Sequence, residues 1–143
     1  MSPAELLATV PFAHRADLEI VEASPNRVIV RIPNERKNQN HVGTVHAAAL
    51  VLVGETAAGI ALLNEPRTGG YLLLAKGLAI RYRKPGATAV SATATLSEEQ
   101  VLASVAGVER DGKVDVPMAV ALHDEAGVLV AELTVDFHLR KRG

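Results

Sequence analysis

Between Val45 and Leu63 the chain runs almost without charge, as VHAAALVLVGETAAGIALL, and no other stretch is as long or as apolar. Such a segment belongs either across a membrane, where a spanning helix needs roughly 20 apolar residues, or at the centre of a protein core. His46, Glu55 and Thr56 within it, Gly54 and Gly59 interrupting it, and the lack of a flanking Trp or Tyr favour the core. A helix that is apolar on nearly every side must be covered on nearly every side, so the remaining chain is required to wrap it.

The flanking sequence supplies strands for that purpose. Ala16 to Ala23 and Arg27 to Pro33 read as an antiparallel hairpin turned by Ser24-Pro25-Asn26. The polar, Asn-rich segment NERKNQNHVGTVH, with Gly43 inside it, reads as a loop into the long helix, which Asn64-Glu65-Pro66 ends. Tyr71 to Tyr82 forms a strand, Arg83-Lys84-Pro85-Gly86 a turn, and Ala87 to Leu96 a half-buried strand of alternating small apolar and hydroxyl residues, expected to pair with its predecessor. Ser97-Glu98-Glu99-Gln100 is a capping box and predicts a short helix from Ser97 to Glu109, closed by Asp111-Gly112. Lys113 to His123 and Val128 to Leu139 complete the strands, joined at Asp124-Glu125-Ala126-Gly127 and followed by the basic tail Arg140-Lys141-Arg142. The pattern predicts an α+β fold, a curved antiparallel sheet wrapped round one long buried helix, with residues 1–143 as a single domain.

Composition excludes several function classes. Aromatic residues make up only 3% of the chain, so Ala, Val, Leu and Ile must provide the packing. A formal net charge of −1 gives no broad electrostatic footprint for nucleic acid or an acidic membrane surface, which leaves any phosphate site local. With no cysteine there is no disulfide framework, thiolate nucleophile or Cys-based zinc pattern. The histidines His14, His41, His123 and His138 lack metal-ligand spacing, and no metal is expected. The first twenty residues show no basic leader followed by an apolar run of about 7–15 residues, so a cytoplasmic location is expected.

The loop and helix start, NHVGTVHAAALVLVGETAAG, resembles the signature of hotdog-fold acyl-CoA thioesterases of the phenylacetyl-CoA and 4-hydroxybenzoyl-CoA type. In those proteins Asn, Gly-Thr and His-Gly-Gly precede a helix carrying an acidic residue; here the matching residues are Asn40, Gly43-Thr44, His46 and Glu55. Glu55 follows His46 by nine positions, as the acid follows the His in the family, and Arg81-Tyr82-Arg83-Lys84-Pro85-Gly86 is similar to the end of the family's strand after the helix. Two departures stand out. Ala47 and Ala48 replace the paired glycines, and Ala75 stands where some relatives place a Ser near the nucleophilic water, which leaves Thr56 to supply a hydroxyl.

Thioester hydrolysis needs a polarised carbonyl, an activated nucleophile and a grip on the CoA tail. The resemblance implies that the backbone N–H of Ala47, at the positive end of the helix, polarises the carbonyl, and alanine keeps that donor. Glu55, the only acid in an apolar helix, carries a desolvation cost unless it faces a polar cleft or a partner, and is the candidate general base or nucleophile. Asn40 orients the loop or the water, and His46 fixes the loop or helps to polarise the carbonyl; Gly43 and Thr44 belong to the same loop. Arg81, Arg83 and Lys84 are the first candidates for phosphate contacts, with the basic tail as the second. At about 100° per residue, His46 and Glu55 fall on opposite helix faces, so one chain cannot easily aim both at one substrate. A site shared across a homodimer, or a dimer of dimers, follows, with Asn40, His46 and Ala47 from one subunit and Glu55 and Thr56 from the other. CoA would be part of the substrate, and no separate cofactor is expected.

Plainer readings compete. Glu55 would be structural if paired with Lys76, which lies in the middle of an apolar strand. His46 would be a helix-terminal residue satisfied by backbone, and Asn40 and Gly43 ordinary loop residues. Two other functions share the architecture. A hotdog hydratase would carry a Phe-Pro-Gly type of run after its His, and this chain has none. A non-catalytic acyl-CoA or lipid binder would use the same cleft without needing a buried acid.

Overall fold

A computed structural model describes all residues from Met1 to Gly143. Six antiparallel strands form one sheet: β1 (Glu19–Ser24), β2 (Arg27–Ile32), β3 (Leu72–Tyr82), β4 (Val90–Thr95), β5 (Lys113–Asp124) and β6 (Leu129–Arg140). Their spatial order is β1-β2-β4-β5-β6-β3. The helices are α1 (Pro3–Ala8), α2 (Pro11–Arg15), α3 (Ala47–Asn64) and α4 (Glu98–Asp111). The long helix α3 packs on β2, β4, β5 and β6 and buries ten of its 18 residues, including Leu50, Val53, Ala57, Ala58 and Leu62. This is the hotdog architecture implied by the sequence.

Strand alternation explains how the sheet grips the helix. Along β6, Leu133, Val135, Phe137 and Leu139 are buried while Glu132, Thr134 and Asp136 face outward, the period-2 pattern of a half-covered sheet. On the helix, Gly54 permits the closest approach: a Cβ there would lie 2.4 Å from Leu133 Cδ2. The second long helix, α4, begins with the expected capping box, Ser97 accepting from the Gln100 N–H and Gln100 from the Ser97 N–H, and ends at Gly112 in the left-handed region.

One sequence expectation needs correction. Strand β4 does not pair with β3; it lies between β2 and β5, and β3 pairs only with β6, at the opposite edge. The Arg83–Gly86 segment is therefore a crossover rather than a hairpin. The N–H groups of Arg83 and Lys84 both bond to the Val130 carbonyl at 2.7 and 3.2 Å, Pro85 has no N–H to return to the ladder, and buried Gly86 accepts from the Val45 N–H at 2.9 Å. The first residues, for which the sequence suggested no element, form α1 and α2. A capping box holds α1, with Ser2 accepting from the Glu5 N–H and Glu5 from the Ser2 N–H. That signal, Ser-Pro-Ala-Glu, is present in the sequence, but the helix it starts is only six residues long.

Candidate active site

The loop before α3 is organised by asparagines. Asn40 accepts from the Val42 and Thr44 N–H groups through Oδ1 and donates to Thr44 Oγ1 at 2.7 Å, closing a tight turn in which Gly43 adopts φ +80°. Asn34 Nδ2 donates to the Ala87 carbonyl, tying the loop to the crossover, while buried Asn38 donates to the Ala16 and Pro33 carbonyls and accepts from the His46 N–H at 2.8 Å. The chain thus enters α3 on a fixed path. Asn40 is a loop organiser with both ends of its amide occupied.

His46 is the N-cap of α3, and its Nδ1 accepts the Ala48 N–H at 2.9 Å. A neutral ring accepting at Nδ1 carries its proton on Nε2, which leaves that atom as a donor. The first helical N–H, that of Ala47, has no partner within the chain and lies on an exposed residue. A cavity of about 380 Å³ opens there, lined by Asn40, Thr44, Ala47, Leu50, Tyr82 and Lys84 among others. Tyr82, which the sequence reading passed over as a strand end, donates its hydroxyl to the Ala47 carbonyl at 3.0 Å and so braces the first helical turn. One of only two tyrosines in the chain, it was marked by its rarity alone.

Glu55 and Thr56, further along the helix, open into a different cavity, about 260 Å³ in volume. Its walls are Leu6, Leu7 and Val10 around α1, Gly59, Ile60 and Leu63 of α3, Leu73, Leu74 and Ala75 of β3, and Phe137 of β6. Ala75, which the resemblance sets where some relatives place a Ser, lines the same cavity as Glu55; the contribution of α1 had no counterpart in the sequence reading. Glu55 is half-buried and makes no hydrogen bond or ion pair, and burial pushes its carboxyl above the usual carboxylate range.

Lys76 is not its partner. A β-bulge between Ala75 and Gly77 makes Lys76 the extra residue of β3, and its Nζ bonds to Asp115 at 2.8 Å. Asp115 also bonds to His138, whose neighbours Phe137 and Leu139 face the core, so this cluster sits on the outer face of the sheet. Glu55 is on the inner face, and the structural pairing considered from sequence is thereby overturned.

The three basic candidates are not brought together. Alternation along β3 sends Arg81 to the outer face opposite Glu132, while Tyr82 lies opposite buried Ala131. Arg83 lines the Ala47 cavity but is held by Glu132 at 2.6 Å; Lys84 lines it without an acidic partner. No three His, Asp or Glu side chains converge as a metal site would require.

The hotdog sheet thus carries an unpaired helix-start donor in one cavity and an unpaired acid in another. The chain belongs to the DUF4442 family, a domain of unknown function, whose profile matches residues 4–139. Solved structures share its fold over nearly their full lengths. A Pseudomonas aeruginosa protein of unknown function, described as a probable thioesterase, superposes with a TM-score of 0.87 at 26% identity, covering 99% of this chain and 97% of that one. A protein of unknown function from Chlorobaculum tepidum gives 0.87 at 17% identity, with 98% and 94% covered. A thioesterase from Haemophilus influenzae gives 0.78 at 13% identity, with 99% and 92% covered. No curated protein matches the chain.

Proposed function

We propose that this protein hydrolyses acyl-CoA thioesters at a site built from two copies of the chain, as a cytoplasmic homodimer or dimer of dimers. The observation that carries the reading is Glu55: a partly desolvated carboxylate without a partner, at the mouth of an apolar cavity. A structural acid in that setting would be paired. The similarity to thioesterases of the same fold supports the same chemistry.

In this scheme the thioester carbonyl oxygen accepts the Ala47 N–H of one subunit. Glu55 of the other subunit, in its ionised form, takes a proton from water as the water oxygen attacks the carbonyl carbon. Negative charge gathers on the carbonyl oxygen, where the helix-start donor stabilises it. Collapse of the intermediate breaks the C–S bond, and the proton on Glu55 passes to the departing thiolate, giving free acid and CoA thiol. Direct attack by Glu55 to form an anhydride, then hydrolysed, gives the same products. Thr56 is suited to hold the water, and Lys84 to meet a phosphate of the CoA tail.

The need for two copies has its own support. Strand β3 is a sheet edge with unpaired backbone groups, and on its inner face Leu78 and Tyr82 stay 43% and 47% exposed. An isologous contact along β3 would cover these residues and bring the Ala47 cavity of one chain toward the Glu55 cavity of the other. The test is release of free thiol from a panel of acyl-CoAs by the wild type and Glu55→Gln. Turnover that falls at least about a hundredfold in the variant supports the reading; acyl-CoA binding by both proteins without turnover assigns the cleft to a non-catalytic binder.

A further inference from the structure

The cavity beside Glu55 contains a glycine that packing does not require. Gly54 and Gly59 lie five residues apart on α3, and both are buried. At Gly54 an added Cβ would come within 2.4 Å of Leu133, so the close helix–sheet contact explains the glycine. At Gly59 the same Cβ would meet Leu73 Cδ2 at 3.6 Å and Phe137 Cζ at 3.7 Å, ordinary contact distances. Alanine therefore fits at position 59, and alanine is the better helix former inside a helix. Glycine there leaves a recess one carbon deep, one helical turn beyond Glu55 on the same face and within the same cavity.

Resting on the thioesterase reading, we propose that Gly59 sets acyl-chain specificity and that the recess admits a straight aliphatic chain. A single added carbon at Gly59 would be in contact with both Leu73 and Phe137, so the free space there is about one carbon across. A polymethylene chain is that narrow in every cross-section, whereas an aromatic ring is narrow in only one. The surrounding Leu6, Leu7, Val10, Ile60 and Leu63 are aliphatic. Of the two hydroxyls in the lining, that of Thr9 is bonded to the Leu6 carbonyl, and that of Thr56 stands next to Glu55 in the chain, at the reacting end of the cavity. Gly59 is a specificity-determining residue in this scheme; it has no part in bond making.

The experiment compares the wild type, Gly59→Ala and Gly59→Val on butyryl-CoA, octanoyl-CoA and benzoyl-CoA. The wild type is expected to prefer octanoyl-CoA to both others. The octanoyl-to-butyryl ratio of kcat/KM should fall by roughly tenfold or more in Gly59→Val and by less in Gly59→Ala. Gly59→Ala should unfold at a temperature equal to or higher than that of the wild type, which separates a pocket effect from a folding defect. An unchanged ratio in both variants, or a wild-type preference for benzoyl-CoA, overturns the proposal. If the wild type hydrolyses none of the three, the thioesterase reading fails by itself. The same ratio is then read from calorimetric dissociation constants of octanoyl-CoA and butyryl-CoA, where a drop in Gly59→Val sustains the role of Gly59 and an unchanged ratio, or no binding, ends it.

Discussion

Ala47 and Glu55 stand eight residues apart on α3, about 12 Å along its axis, and open into different cavities. An oxyanion donor has to come within about 3 Å of the carbonyl oxygen, and a general base within about 3 Å of the water that attacks the same carbonyl. One chain cannot meet that requirement with these two groups, and several expectations follow from the separation.

Ala47→Pro removes the unpaired N–H while keeping the helix. Proline is well tolerated at the first helical position, and His46 already has φ −60° and ψ 142°, the extended conformation that a following proline favours. The circular dichroism spectrum should be unchanged and kcat/KM should fall by about 100- to 1,000-fold. Full activity in the folded variant would remove Ala47 from the chemistry.

Glu55→Gln should stabilise the protein at neutral pH while abolishing turnover. Well below a free carboxylate's value of about 4.3, Glu55 is protonated in both folded and unfolded chains and costs nothing. Burial raises the folded value, so as pH rises through the window above 4.3 the unfolded chain ionises first and stability is lost. The variant escapes that loss. Its thermal midpoint should exceed the wild type's at pH 7 and converge with it in acid; a lower midpoint at pH 7 would mean that the ionised carboxylate has a stabilising partner. The acid limb of the wild-type kcat/KM profile should likewise lie above the pH expected of a free glutamate.

Much of this arrangement was legible in the sequence. Glu55 stood out because an acid in an otherwise apolar helix has a desolvation cost, and Gly43 and Ser97 because a left-handed turn and a capping box have specific residue requirements. Strand order was not legible. Ala87–Leu96 has the same alternation whether it pairs with β3 or with β2 and β5, because period 2 reports which face is buried and not which neighbour lies alongside. The Glu55 cavity was hidden for a related reason: Leu6, Leu7, Leu73 and Phe137 come from three separated parts of the chain and meet only when β3 closes against β6. Lys76 misled because a bulge shifts the alternation by one residue and no residue type announces it.

Gly54→Ala should destabilise, in contrast to Gly59→Ala five residues later in the helix. The new methyl overlaps Leu133 Cδ2 in a closely packed layer, where overpacking costs roughly 1–3 kcal/mol, more than the ~1 kcal/mol of helix propensity gained. A urea midpoint at or above that of the wild type would show that Leu133 moves aside without cost.

Lys84→Ala should raise KM for acyl-CoA by roughly three- to tenfold, the scale of one exposed charge-assisted contact, and leave KM for the matching acyl-pantetheine, which lacks the nucleotide phosphates, unchanged. Arg83→Ala should act differently, since its guanidinium is held by Glu132. Equal effects of Lys84→Ala on both substrates would place the CoA tail elsewhere.

The most direct measurement mixes two inactive proteins. Glu55→Gln and Ala47→Pro are unfolded together in equal amounts, refolded and assayed for thiol release on the best acyl-CoA of the panel. Random pairing makes half of the dimers hybrid, and each hybrid holds one site with both native groups, so the mixture should recover about a quarter of wild-type activity while either variant alone stays near zero. A mixture no more active than its separate components, with hybrid dimers demonstrated by native mass spectrometry, would contradict a site assembled from Ala47 of one chain and Glu55 of the other.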